Sequence, residues 1–337
     1  MYWRLLVSMA LLVLACVGGC SRNISIATEF RTLPAADGFA LQRYTLFQWD
    51  GDGRAHAKPA GVLFYVQGSS DHSVLDATEQ FAGACVMGLD VAAIERRGVS
   101  RDGTVDREVA RRYATKQCRV ADQLTLVRAY LDEHPGITPA IMFATSEGCD
   151  VACAVAAQEP RITQVILLAG GGGWSQAQEF EHFVRSRPGS IPGIDTPEQL
   201  KAKFADIRDH PNADTMWFGH PYRRWASYMF DRPGDDLLKV DAPILLIHGD
   251  ADQSVPVESA LALRDAFAAA GKSSLTYKEY AGVDHSFMHV PTGKSVRPWI
   301  EIDTIEWLAA QNVVDRATAD MFVSRVRANH PEWYGSK

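Results

Sequence analysis

Short, continuous apolar runs recur along this chain, and they constrain its fold more than any other feature. Runs of this kind are typical of strands that are buried on both faces of a parallel sheet. They occupy residues 61–66, 89–94, 140–144, 165–169 and 243–247. Helical patterns lie between them: in residues 118–133, Val120, Leu124, Val127 and Leu131 fall on one face of a helix. Alternating strands and helices predict an α/β fold with a doubly wound, mostly parallel sheet.

One stretch interrupts this alternation and suggests how the domain is organised. Residues 171–240 contain no clear strand and are rich in Trp, Tyr and Phe. We predict one domain over residues 40–312, in which residues 171–240 form a helical lid over the carboxyl edge of the sheet. Most lid aromatics are expected to form a small core of their own, and some to line a substrate cavity. Residues 20–39 are predicted to be a tether and residues 313–337 a helical tail.

The first nineteen residues have the layout of an export signal. Arg4 precedes an apolar run that is too short to cross a hydrocarbon core of about 30 Å. The run ends in small residues before Cys20, which resembles the lipobox of bacterial lipoproteins. That resemblance implies cleavage before Cys20, lipidation of Cys20, and a protein anchored in the bacterial envelope. The residue after it, Ser21, favours the outer membrane, facing the periplasm. Cys16 is a weaker acceptor, and an ordinary secretory peptide or an uncleaved anchor remain alternatives.

Four further cysteines bear on disulfides and metals: Cys85, Cys118, Cys149 and Cys153. Exported proteins can form disulfides, and either a Cys85–Cys118 bridge or four thiols is compatible with the sequence. Cys149 and Cys153 lie four residues apart on one predicted helix, where disulfide geometry is poor. No Cys-x-x-Cys motif supports a zinc site, so neither a metal nor a cofactor is predicted.

Charge and missing motifs exclude two further classes of function. The 34 Lys and Arg residues against 41 Asp and Glu give a net charge of -7, which argues against nucleic acid as a partner. No Gly-x-Gly-x-x-Gly motif follows a predicted strand, so a dinucleotide site is not indicated. The sequence makes no prediction of oligomeric state.

The segment from Ala140 to Ala152 contains the most informative motif. An apolar strand leads into Ala144-Thr145-Ser146-Glu147-Gly148 and then into an alanine-rich helix. This is the setting of a nucleophile elbow, in which a sharp turn projects the serine hydroxyl above the sheet. The flanking Ala144 and Gly148 are small, as the close approach of strand and helix requires. A serine at this place is also a common helix cap, which is the structural alternative.

A serine nucleophile needs a base and a group that orients the base, and both are present in the order that an elbow predicts. Asp250 and Asp252 follow the apolar run at 243–247, and His285 follows the strand-like residues 275–279. Each candidate therefore comes directly after a predicted strand, where the carboxyl ends of parallel strands meet.

At this point the chain resembles the serine α/β-hydrolase family, especially its dienelactone hydrolase and prolyl oligopeptidase-like branches. Three motifs over residues 40–312 account for the likeness: the elbow at Ser146, His-Gly-x-x-Asp-x-x-Val-Pro at 248–256, and Asp-His-x-Phe at 284–287. The resemblance implies an α/β-hydrolase fold with Ser146 as nucleophile, His285 as base and Asp252 as acid. Asp250 is the less favoured acid and a candidate turn residue.

The resemblance also implies two backbone donors for a developing oxyanion. One is the N–H of Glu147, directly after the nucleophile, and the other is the N–H of Ser69 in the loop after residues 61–66. The family usually has His-Gly in that loop, whereas this chain has Gln67-Gly68. Residues 95–100 resemble a turn that supports the family's fold, and no catalytic role is assigned to them.

Hydrolysis of carboxylic esters through an acyl-enzyme is the leading functional prediction, with a small-molecule acyl ester as substrate. The first alternative is a serine peptidase acting on short peptides, in which Glu179, Glu181 or Asp214 of the lid would hold the substrate amine. The second is a catalytically silent binding or scaffold protein of the envelope. No nucleic-acid partner is expected, and the membrane is expected as a partner only through the lipid on Cys20.

Overall fold

An eight-stranded, mostly parallel sheet forms the centre of the molecule. This computed structural model describes residues 16–17, 20–21, 25–49 and 59–330. The strands are β1 (Ser25–Pro34), β2 (Ala40–Trp49), β3 (Gly61–Val66), β4 (Leu89–Ile94), β5 (Ala140–Thr145), β6 (Gln164–Leu168), β7 (Ile244–Gly249) and β8 (Leu275–Tyr280). Their order is β1-β2-β4-β3-β5-β6-β7-β8, and β1 and β2 are antiparallel to their neighbours. The predicted α/β fold is confirmed.

Helices cover both faces of this sheet. They are α1 (Ala82–Val86), α2 (Arg107–Arg112), α3 (Lys116–Glu133), α4 (Gly148–Gln158), α5 (Gln176–Ser186), α6 (Pro197–Asp209), α7 (Tyr222–Tyr228), α8 (Pro233–Leu237), α9 (Val257–Ala269), α10 (Arg297–Ala310) and α11 (Arg316–Asn329). A 3-10 helix, Val74–Phe81, precedes α1, and two-residue strands pair Met288–His289 with Lys294–Ser295.

Alternate residues of each central strand enter two different cores. Val62, Phe64 and Val66 of β3 pack with α3, α4 and α9 on one face, whereas Leu63 and Tyr65 face the other side, the side of α1. Every residue of β3, β4 and β7 is buried. Their apolar sequences are continuous because both faces lie against helices.

The strand β1 corrects the predicted tether over residues 20–39. Ser25–Pro34 pairs with Ala40–Trp49 along ten residue pairs, and Asp37 and Gly38 turn the chain between them. Polar residues interrupt the apolar ones along β1, so this strand has no continuous apolar run that would indicate it from sequence. β1 is the outermost strand and is antiparallel to β2. In such a strand only the face that packs on the core needs to be apolar.

Residues 171–240 fold as helices α5 to α8, with a short ladder between Met216–Trp217 and His220–Pro221 that the sequence did not indicate. Ser175 and Thr196 begin α5 and α6 through capping boxes. The aromatic residues mostly pack on each other. This cluster includes Phe180, Phe183, Phe204, Trp217 and Trp225.

The structure describes more of the C-terminal end of the chain than of the N-terminal end. Helix α11 packs on α10, whereas residues 331–337 of the predicted tail lie outside the described residues. Most of the predicted signal peptide also lies outside them, apart from Cys16–Val17, which pairs with Cys20–Ser21. None of the helices in the described part of the chain has the length and apolarity needed to cross a membrane.

Cys85, Cys118, Cys149 and Cys153 all have free thiols. Cys85 lies on α1 on one face of the sheet, whereas Cys118 lies on α3 on the other face. The Cys85–Cys118 bridge that the sequence left open is therefore absent.

Candidate active site

Ser146 stands at a sharp turn between β5 and α4. Its φ of 52° lies in the left-handed region of backbone conformation, which residues other than glycine rarely adopt. The Ser146 N–H donates to the Leu168 carbonyl at 2.9 Å, which ties the turn to β6. A Cβ on Gly148 would lie 2.3 Å from the Val66 carbonyl oxygen, so only glycine fits where α4 begins. The turn therefore has the geometry of a nucleophile elbow.

Three side chains predicted from separate parts of the sequence form one hydrogen-bonded chain. The Ser146 Oγ lies 2.9 Å from Nε2 of His285, and Nδ1 of the same ring lies 2.7 Å from Oδ2 of Asp252. The Asp252 side chain is fully buried, and His285 is 27% exposed. The structure thus brings together a hydroxyl, an imidazole and a carboxylate in the order that proton transfer requires.

Asp252 rather than Asp250 reaches the imidazole, because the loop after β7 turns the two carboxylates apart. The second oxygen of Asp252 accepts the N–H groups of Ser254 and Val255 at 2.8 and 2.9 Å. Asp250 instead accepts the N–H of Gly282 at 2.5 Å, so its carboxylate closes a turn. The loop that holds His285 is likewise braced, since Asp284 accepts two backbone N–H groups.

The loop after β3 lies directly against the elbow. A Cβ on Gly68 would come within 3.2 Å of the Ser146 Cβ, so the glycine permits this approach. Arg96 donates from one guanidinium nitrogen to the carbonyls of Ser69 and Ser70, at 2.6 and 3.0 Å. The turn at residues 95–100, which the sequence analysis treated as supporting, therefore fixes the loop in which Ser69 lies.

Glu147 lies at the centre of a buried ion cluster that the sequence analysis missed. Its carboxylate pairs with Arg119 of α3 at 2.7 Å and with Arg224 of α7, and all three side chains are at least nine-tenths buried. Arg119 also donates to the Gln67 carbonyl at 2.5 Å. Burial alone would raise the pKa of Glu147, but the guanidinium groups of Arg224, Arg119 and Arg96 hold it well below its usual range. Arg119 offered one sequence signal: it lies one position before the apolar stripe that begins at Val120.

The three lid carboxylates that a peptidase would need lie elsewhere. Asp214 pairs with Arg223 at 2.9 Å, and the exposed Glu181 lies 3.8 Å from Arg185. Glu179 is hydrogen-bonded to Ser259 of α9, and its removal from water raises the pKa of its carboxyl to about 8. None of these carboxylates lies in the wall of the cavity that contains Ser146.

That cavity has a volume of about 980 Å³ and extends from Ser146 and His285 along the α1 side of the sheet. Its walls come from the sheet, the 3-10 helix, α1, α10 and α11, and no residue of 171–240 lines it. The prediction that lid aromatics line a substrate cavity is wrong for this cavity, because those rings are packed on one another. The described residues contain no cluster of His, Cys, Asp and Glu that could hold a metal ion.

A family model described as serine aminopeptidase, S33, matches residues 57–291 of the chain. A search of curated protein sequences found no match.

Solved structures of similar fold include esterases and peptidases. An acetyl xylan esterase from Paenibacillus sp. R4 superposes with a TM-score of 0.58 at 13% identity, covering 91% of this chain and 88% of that one. Porphyromonas gingivalis dipeptidyl peptidase 4 has a TM-score of 0.57 at 16% identity, covering 84% and 35%. Pyrococcus horikoshii acylaminoacyl peptidase has a TM-score of 0.55 at 14% identity, covering 86% and 42%. The chain thus spans less than half the length of either peptidase, and the likeness concerns the fold.

We expect Glu147→Gln to lower the free energy of unfolding by about 3–5 kcal/mol, because Arg119 and Arg224 would lose their shared buried counter-ion. Urea denaturation measures this change. The matched control is Asp320→Asn, which breaks the exposed pair of Asp320 with Arg316 and should cost about 0.5 kcal/mol or less. Equal losses in the two variants would contradict a structural role for the buried cluster.

We expect Glu179→Gln to flatten the pH dependence of stability. Because the folded-state pKa is raised to about 8, the stability that the protonated carboxyl contributes is complete below its ordinary pKa of about 4.5 and is lost as pH rises through 8. The wild-type melting temperature should therefore fall across this window relative to the variant. Glu181→Gln, an exposed site on the same helix, should run parallel to wild type. Parallel curves for all three proteins would refute the prediction.

Proposed function

Because this chain belongs to the serine aminopeptidase S33 family of α/β-hydrolases, we propose that it is a serine hydrolase that cleaves carboxylic esters. The observation that supports this most directly is the hydrogen-bonded chain from Ser146 through His285 to Asp252. A silent scaffold protein would have no need of a strained serine whose hydroxyl faces an imidazole.

In the proposed reaction, Ser146 Oγ attacks the acyl carbon while Nε2 of His285 takes its proton. Asp252 keeps Nδ1–H of the ring directed at its own carboxylate and stabilises the imidazolium that forms. The tetrahedral intermediate collapses when His285 returns the proton to the alcohol oxygen, which leaves an acyl group on Ser146. Water, deprotonated by His285, then attacks the acyl carbon; the bond from that carbon to Ser146 Oγ breaks as His285 returns the proton to Oγ, and the carboxylic acid is released.

The negative oxygen of the intermediate would accept the backbone N–H groups of Glu147 and Ser69. Both lie in segments that arginines hold: the Glu147 carboxylate pairs with Arg119, and the Ser69 carbonyl accepts from Arg96. Preorganised donors of this kind need no rearrangement when charge develops, and losing one costs about 3–4 kcal/mol in a measured case. The positions of these arginines support the assignment.

A peptidase acting on short peptides is the alternative, and the description of the family model favours it. The ester proposal is preferred because Glu179, Glu181 and Asp214, the carboxylates considered for an amine, lie outside the Ser146 cavity. Assays of p-nitrophenyl esters beside aminoacyl and dipeptidyl anilides separate the two. Faster turnover of the anilides would replace the ester proposal by the peptidase one.

We expect a fluorophosphonate probe to label the wild-type protein and Ser146→Ala to abolish labelling, since the probe reacts with an activated serine. Gel fluorescence and intact mass measure the reaction. Ser190→Ala, at an exposed serine of the lid, is the control and should label as wild type. Labelling of Ser146→Ala at the wild-type level would exclude Ser146 as the nucleophile.

Export and lipidation remain a separate proposal that rests on the sequence of residues 1–21. We expect the mature protein from a bacterial host to begin at Cys20 and to carry acyl groups, as mass spectrometry of its N-terminal peptide would detect. Cys20→Ala should abolish the acylation, whereas Cys16→Ala should retain it. An unmodified N-terminus at another residue would contradict anchoring at Cys20.

A further inference from the structure

The cavity beside Ser146 is larger than a short acyl group needs. Its volume of about 980 Å³ lies at the upper end of the roughly 300–1,000 Å³ of small-molecule sites. An acetyl group on Ser146 would leave most of this space without a partner. We propose that the cavity binds the acyl chain of the substrate and that esters of long-chain fatty acids are the preferred class. This inference rests on the proposed function.

The cavity follows the strands downward from the carboxyl edge of the sheet. Gln67 and Leu63 both line it and lie four residues apart along one chain, a depth of about 13 Å. Leu89, the first residue of β4, lines it near the opposite edge. The space is therefore long in the strand direction, as an extended chain requires.

The walls of the cavity are largely apolar where they are formed by the sheet and by buried helix residues. Leu63, Ile166 and Leu168 come from the sheet, while Ile300 and Ile305 come from α10. The charged lining residues on α10 and α11, such as Arg297 and Arg325, are exposed and mark the rim, whereas the hydroxyl of Thr304 on α10 is a buried polar group in the wall. An aliphatic chain matches this distribution, because each methylene placed against such walls leaves water.

The chemistry of the two steps decides which half of the ester enters the cavity. The alcohol must depart and water must replace it beside His285, so the leaving side needs exchange with solvent, and His285 is 27% exposed. The acyl half is bonded to Ser146 from the first attack until water releases it. A deep apolar space that ends at Ser146 therefore suits the acyl half.

The first test compares two series of esters at concentrations below their critical micelle concentrations. With p-nitrophenol as the constant leaving group, acyl chains run from acetyl through octanoyl to hexadecanoyl. We expect kcat/KM to rise about threefold to fourfold per methylene until the cavity is full, which corresponds to about 0.8 kcal/mol per buried methylene. Acetates of increasingly long alcohols should show no such rise. The inference is overturned if kcat/KM does not rise along the acyl series, or if it rises only along the alcohol series.

The second test narrows the cavity at two depths with Ala77→Phe and Met87→Trp, whose parent residues both line it. Ala77 lies nearer the carboxyl edge, because the Val74 N–H at the start of its 3-10 helix donates to Glu95 just after β4. Met87 lies near the opposite edge, because the carbonyl of the next residue, Gly88, accepts the Ala60 N–H just before β3. We expect Ala77→Phe to reduce kcat/KM for long acyl chains at least tenfold and Met87→Trp to affect only the longest. In both variants the loss should be larger for long acyl chains than for acetyl. Ala268→Phe, exposed on α9 on the other face, should match wild type.

The outcomes separate this inference from the proposed function. Acetyl ester turnover that Ser146→Ala abolishes, together with a flat acyl series, leaves the serine hydrolase intact and removes the acyl site. Absence of both ester turnover and probe labelling in the wild type removes the proposed function instead. If a cavity variant fails to fold, as its melting temperature would reveal, the two wild-type ester series still decide. Wild-type chain-length profiles in both folded cavity variants would also overturn the inference.

Discussion

The buried carboxylate of Glu147 joins the three parts of the molecule that meet around Ser146. It lies at the start of α4, pairs with Arg119 of α3 and with Arg224 of α7, and through Arg119 is linked to the Gln67 carbonyl. A charge in the interior is tolerated only when its partners stay in place. The elbow, the loop after β3 and helix α7 therefore cannot move apart without leaving a buried charge unpaired.

The fold was largely readable from the sequence because the central strands are apolar on both faces. Residues 61–66 and 89–94 coincide with β3 and β4, since strands covered by helices on both sides have no polar positions. The edge strand β1 was not readable in the same way. Its pattern is the weaker one of a strand covered on one side, and its pairing with β2 depends on contacts across a turn.

The residues of the candidate site also differ in whether the sequence indicates them. Ser146, Asp252 and His285 could be proposed from sequence because each follows a strand and belongs to a short local motif. Arg119 and Arg224 could not, because their roles arise only when α3 and α7 pack against the elbow. The cavity was also hidden: it exists because a 3-10 helix and the short α1 cover this part of the sheet, and an unfilled volume leaves no motif.

The ion cluster and the cavity lie on opposite faces of the sheet, so a substitution can alter one of them without altering the other. The ion cluster lies on the side of α3, α4 and the lid, whereas the cavity lies on the side of α1, α10 and α11. A substitution in the part of the wall that α1, α10 and α11 form changes the shape of the space without contacting the arginines that position the loop and the elbow. Members of the family that share this arrangement could therefore diverge in the molecules they accept while keeping one reaction apparatus unchanged.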